Sequence, residues 1–127
     1  MAPSSVRIGV IGVGFGATVH IPAFQSEGLD VVAVCARREE RATEAAQRFG
    51  ISKTFTDYRK MLQMDGLDAV SIVSPVANHY QMTMEALDSG KHIICEKPFT
   101  QTAAEAEAFV RAAEAHGVLV AEAFKFR

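Results

Sequence analysis

The sequence predicts an α/β fold, a doubly wound parallel sheet in one domain spanning residues 1–127, and three observations carry that reading. Short apolar runs alternate with amphipathic segments from end to end of the 127 residues. The runs are continuously apolar, as strands buried on both faces of a parallel sheet must be. The connections between them are short, and strand–helix alternation with right-handed crossovers leaves few other topologies.

The elements follow in order. Val6–Ile11 is apolar apart from Arg7 and Gly9, and Asp30–Cys35 is a second strand. Lys53–Phe55 is short and weak, an edge strand. Asp68–Ser74, Lys91–Cys95 and Val118–Ala123 complete a set of six. Between them, Glu39–Phe49 reads as a helix stopped by Gly50, and Tyr58–Gln63 as a short helix introduced by Asp57. His79–Ser89 ends at Gly90. Thr102–His116 carries Ala103, Ala106, Val110 and Ala113 on one stripe and ends at Gly117. Pro22 is expected to kink or restart the first helix. The expected strand order is 3-2-1-4-5-6, with a ligand across the carboxyl ends of strands 1 and 4. The far edge beyond the sixth strand then needs a cover, so a separate or missing partner domain is expected.

Composition bounds the function. Apolar residues make up 49% and charged residues 22%, the balance of a globular protein of one core. A formal charge of −2 offers no general attraction for nucleic acid or an anionic membrane, so phosphate binding must be local. No stretch is long and apolar enough to span a bilayer. The Ile8–Val19 run has a signal-peptide length, but its glycines recur at turn spacing and His20 and Pro22 stand where small residues would precede cleavage. A cytoplasmic protein is expected. Cys35 and Cys95 fall three strands apart, roughly 14 Å at ~4.8 Å per strand, which reads as two buried free thiols. No Cys/His spacing suggests a metal. His20, His92 and His116 read as packed or helix-end residues, Met61, Met64 and Met82 as core filling, and Ser71 and Ser74 lack a nucleophile elbow.

The first strand runs into Gly12-Val13-Gly14-Phe15-Gly16-Ala17. Gly12 permits a tight strand-to-helix turn, Gly14 lets backbone approach a pyrophosphate, and Ala17 is small enough for close helix packing. Gly16 adds another bare backbone segment where helix amides face phosphates. Such a Rossmann-type turn serves NAD(P), and also FAD or S-adenosylmethionine. An NAD-binding chain usually carries an acidic residue about 20 positions on, bonded to the ribose. Here that place holds Cys35, Ala36, Arg37 and Arg38. A guanidinium there can bind a 2′-phosphate bidentately or stack on adenine, which favours NADP and leaves NAD possible. The alternative is that Arg37 and Arg38 are solvated and pair with Glu39 or Glu40.

Two further strand ends carry chemistry. Ser74-Pro75 closes the fourth strand beside the first; Pro75 fixes backbone where a flat ring would lie, and Asn78 reads as the cap of the next helix. His79 is either a site residue or a residue of the helix face. Glu96-Lys97-Pro98 follows the fifth strand. Pro98 keeps Lys97 extended, so that its amine projects past the strand end and can donate to a substrate hydroxyl or carbonyl as hydride moves. The bland alternative is a surface lysine paired with Glu96.

With the segments GVIGVGFGATVHIPAF, SIVSPVANHY, ICEKPFT and VAEAFKFR in hand, the chain resembles the N-terminal domain of the glucose–fructose oxidoreductase/inositol dehydrogenase (Gfo/Idh/MocA) family. That resemblance implies that Gly12, Gly14, Phe15 and Gly16 line the pyrophosphate and Arg37 with Arg38 the adenosine end. It places Ser74, Pro75, Asn78 and His79 at the nicotinamide, Glu96 on the ribose, and makes Lys97 the catalytic lysine. It also implies a cis Lys97-Pro98 bond, and a C-terminal domain, absent from these 127 residues, that supplies the substrate pocket and the oligomer interface. The function so implied is the NADP-binding domain of a dehydrogenase acting on a small-molecule sugar, cyclitol or related alcohol/carbonyl, with a homo-oligomer only in the full-length enzyme. Alternatives are a non-catalytic dinucleotide-sensing regulatory module, which has no need of Lys97, and a folding fragment without a ligand.

Overall fold

The computed structural model describes residues 6–73, 76–95 and 103–122. Among them strand and helix alternate strictly: β1 (Arg7–Ile11), α1 (Phe15–Ser26), β2 (Asp30–Cys35), α2 (Glu39–Phe49), β3 (Lys53–Phe55), α3 (Tyr58–Leu62), β4 (Ala69–Ile72), α4 (Val76–Asp88), β5 (His92–Cys95), α5 (Ala103–His116) and β6 (Val120–Glu122). The strands form one sheet in the order β3-β2-β1-β4-β5-β6, every neighbouring pair parallel, as expected. No helix among the described residues is long and apolar enough to cross a membrane.

Local chemistry sets the element boundaries. The Asp57 carboxylate accepts the Arg59 N–H at 2.9 Å and starts α3. Gly50, left-handed at φ 71°, ends α2, and the Ile51 N–H reaches the Ala46 carbonyl at 2.8 Å, the closing bond of a Schellman turn.

Three expectations need correction. The helix predicted to begin at His79 begins at Val76, directly after Pro75 in the sequence, so Asn78 lies inside its first turn and is not its cap. Pro22 neither breaks nor restarts α1, which is continuous from Phe15 to Ser26. Pro22 is exposed while its neighbour Ile21 is fully buried, so packing holds the helix despite one forfeited backbone bond. On α5 the predicted stripe holds at Ala113, which is buried, but fails at Val110, which is 53% exposed; the large buried residue is Phe109 instead.

Helices cover both faces. Ile21 of α1 and Ala42 and Ala46 of α2 pack on Ile8, Val10 and Val34. On the other face Met61 of α3, Leu87 of α4 and Phe109 of α5 pack on Val70, Ile72 and Ile93. Met61 fits because β1 has Gly9 beneath it; a Cβ there would stand 3.0 Å from the Met61 Cε. Met64 and Met82 are partly buried against the same cluster. Ser71 sits in mid-strand, 1% exposed, away from any strand-to-helix turn.

The amino ends of the strands are stitched by side chains. The Arg7 N–H donates to the Asp68 carboxylate at 2.9 Å, and the Lys91 ammonium to the Leu67 carbonyl at 2.9 Å. The His92 Nδ1 accepts the Leu119 N–H at 3.0 Å.

Candidate functional site

A parallel sheet brings all its strand carboxyl ends to one crest, and here the ends of β1, β2 and β4 are each carried one residue past the strand by a backbone bond. The Gly12 N–H donates to the Cys35 carbonyl at 2.8 Å, the Ala36 N–H to the Phe55 carbonyl at 3.0 Å, and the Val73 N–H to the Ile11 carbonyl at 2.9 Å. Above this level rim lies a cleft of about 760 Å³. It falls within the range of pockets that hold small molecules and cofactors.

The glycine turn forms its centre. Gly12 has φ 104°, a conformation that side chains resist, and so makes the sharp turn from β1 towards α1. Gly14, the residue before α1, has ordinary extended backbone at φ −78°. A Cβ on Gly14 would meet nothing among the described residues within 4 Å. Gly14 lines the cleft, so its missing side chain keeps cleft space clear rather than relieving strain. Phe15, Gly16 and Ala17 form the first turn of α1, whose unpaired amides begin there.

The adenosine side, as the sequence places it, is strongly cationic. Arg37 and Arg38 line the cleft, and Arg38 is the residue just before α2. Arg41, one helical turn on, joins them. Arg37 and Arg38 are exposed, as the alternative reading had them, but among the described residues none of the three makes an ion pair with Glu39 or Glu40. A fourth arginine of the wall, Arg59, is compensated: its Nε donates to Glu85 Oε1 at 2.6 Å and its Nη2 to Glu85 Oε2 at 3.0 Å. Tyr58 donates its hydroxyl to the same carboxylate at 2.9 Å, as Gln81 does its amide at 3.0 Å. Burial alone would raise the Glu85 pKa, but these donors outweigh it and hold the carboxyl below its usual value. Burial first, then the hydrogen bond to Glu85, pushes the Tyr58 phenol up to about 12. Cys35, also in the wall, is a free buried thiol pushed up to about 11 by burial and by Asp57. Of Cys95 the strand position is described and the side chain is not.

The structure therefore brings Gly12, Gly14, Arg37 and Arg38 to one cleft. Asn78 and His79 lie in the first turn of α4, described by their backbone. Ser74, Pro75, Glu96, Lys97 and the Lys97-Pro98 bond lie outside the described residues. The sequence reading missed Arg41, Tyr58, Arg59 and Gln81. A signal for the first three existed: Arg41 is one turn from Arg38, and Tyr58 and Arg59 follow a strand whose carboxyl end must reach the same crest. No group of three metal-ligating side chains occurs among the described residues.

A family model described as the oxidoreductase family with an NAD-binding Rossmann fold, the Gfo/Idh/MocA family, matches residues 6–124. The chain belongs to this family. It is 38% identical over 123 residues to a D-xylose 1-dehydrogenase (NADP(+)) of Haloferax volcanii, covering 96% of this chain and 38% of that protein. It is 36% identical over 121 residues to the scyllo-inositol 2-dehydrogenase (NADP(+)) IolU of Bacillus subtilis, covering 94% of this chain and 37% of the relative. Among solved structures, the 3-ketoreductase KijD10 of Actinomadura kijaniata, in complex with NADP and TDP-benzene, superposes with a TM-score of 0.89 at 35% identity, over 94% of this chain and 37% of its own. The chain thus spans less than two fifths of these relatives.

Proposed function

We propose that the chain is the dinucleotide-binding domain of an oxidoreductase that moves hydride between NADP(H) and a sugar, cyclitol or related alcohol/carbonyl. The observation that carries this reading is the pairing, in one cleft, of a glycine turn whose missing Cβ leaves open space with three arginines that have no carboxylate partner among the described residues. A ribose-binding carboxylate would repel a 2′-phosphate; here the second strand is followed by guanidiniums instead. The NADP(+) dependence named for two relatives supports the same choice.

The residues fit that cofactor in the following way. Gly12, Gly14, Phe15, Gly16 and Ala17 would present bare backbone and helix-start amides to the pyrophosphate. Arg37 and Arg38, with Arg41, would hold the 2′-phosphate. Ser74, Pro75, Asn78 and His79 would border the nicotinamide and Glu96 the ribose. The nicotinamide supplies the hydride acceptor or donor. Lys97 would hold the proton at the substrate oxygen. The substrate pocket and any homo-oligomer contacts belong, in this reading, to a further domain outside these 127 residues.

The test is titration of the chain with NADPH and NADH, followed by nicotinamide fluorescence. NADPH is expected to bind more tightly, and Arg37→Ala or Arg38→Ala to weaken NADPH more than NADH. Equal losses for both would remove the arginines from the phosphate role, and no binding of either would overturn the dinucleotide reading. With a substrate domain in place, Lys97→Ala should lower polyol oxidation by roughly 10²–10⁴-fold while leaving NADPH affinity nearly unchanged.

A further inference from the structure

We propose that Arg59 is the adenine platform of this cleft: a guanidinium held in place by Tyr58 and Glu85, whose open side stacks on the base and does not serve as a phosphate ligand. The proposal rests on the dinucleotide reading above and adds to it a residue for the base. Its Cζ lies over the Tyr58 ring, 4.8 Å from the centroid, and Tyr58 is itself packed against the core of α3, α4 and α5. Two of its nitrogens form a fork on the Glu85 carboxylate, which Tyr58 and Gln81 grip as well. Its backbone N–H is taken by Asp57. Yet the Arg59 side chain remains 52% exposed and lines the cleft.

Those facts separate Arg59 from the other arginines of the wall. Arg37, Arg38 and Arg41 keep uncompensated charge among the described residues, which is what a dianionic phosphate selects. Arg59 has its charge matched by Glu85 and its rotamer already set, so contact with a ligand orders little further. What it offers is a planar cationic surface, and guanidiniums stack on aromatic faces. It follows β3 as the other three follow β2, the neighbouring strand, so base and 2′-phosphate would be read side by side.

The test dissects plane from charge. Wild type, Arg59→Tyr, Arg59→Lys and Arg38→Ala are titrated with NADPH, NADH and reduced nicotinamide mononucleotide, which lacks adenosine, and each variant is melted. A platform predicts that Arg59→Lys weakens NADPH and NADH by the same factor, roughly 5- to 30-fold, and that Arg59→Tyr recovers most of it. The mononucleotide should be unaffected, and the Arg38→Ala loss should fall on NADPH. Better binding by Arg59→Lys than by Arg59→Tyr, or a loss confined to NADPH, would make Arg59 a charge for the phosphate and overturn the proposal. Parallel loss of mononucleotide binding would reduce it to a structural role, whereas some fall in melting temperature is expected from the broken Glu85 fork alone. A wild-type chain that binds neither dinucleotide retires the reading of the cleft, whereas dinucleotide binding indifferent to Arg59 retires only the platform.

Discussion

Gly12 and Gly14 sit two residues apart in the same turn and do opposite work. At Gly12 the φ of 104° is the constraint, so Gly12→Ala should destabilise the fold by about 1–3 kcal/mol, read from chemical denaturation. At Gly14 alanine is a poorer helix cap, but it stiffens the unfolded chain, and these effects offset to within about 1 kcal/mol. Gly14→Ala should therefore melt close to wild type while losing dinucleotide affinity, because its methyl would project into space the chain leaves open. The buried Cys35, with a pKa of about 11, has only about one thiolate in a thousand at pH 8. Peptide mapping after brief iodoacetamide treatment at that pH should find Cys35 unmodified in the folded chain and alkylated in urea. The glycines and Arg37 and Arg38 were legible in the sequence because spacing along one turn fixes them. The place of Arg59 after β3 was legible, but its role was not, since that depends on Glu85, 26 residues away, and distance in sequence hides such a pairing.

The tie between α3 and α4 has a pH signature. Glu85 is held below its ordinary value of 4.5, so its contribution is fully present above that pH and is lost as pH falls through the lower folded value. Tyr58, raised to about 12, contributes fully below pH 10 and loses that contribution as pH rises through 12. The melting-temperature gap between wild type and Glu85→Gln should accordingly be flat from pH 6 to pH 9 and close on acidification below about 4.5. Among the elements, strand positions were legible because each apolar run is short and bounded. The start of α4 and the face of α5 were not. Pro75 reads equally as the end of a strand or the threshold of a helix. On α5 alanines recur on several sides, so periodicity alone does not choose between Val110 and Phe109, and only the surface of the sheet decides for the larger ring.

One sheet with two covered faces makes the whole molecule depend on a few large anchors. Phe109 is fully buried and joins α5 to the sheet, with Tyr80 stacked on its ring at 5.5 Å. Phe109→Ala should remove about 3–5 kcal/mol, a large share of the ~5–15 kcal/mol of a domain this size, seen as a lower urea midpoint. The six-strand order was legible in full, because handedness and short connections prune the alternatives before any side chain is considered. The shape of the cleft was not, since it depends on where side chains from four separate strand ends come to rest.

The side-chain bonds of Asp68, Lys91 and His92 lie at the foot of the sheet, away from its opposite margin. Arg37 and Arg38 project from that margin without a described ion pair tying them to a neighbouring element. Coenzyme preference is therefore a detachable trait here: exchanging those two side chains should redirect it from one dinucleotide to the other while every strand keeps its register.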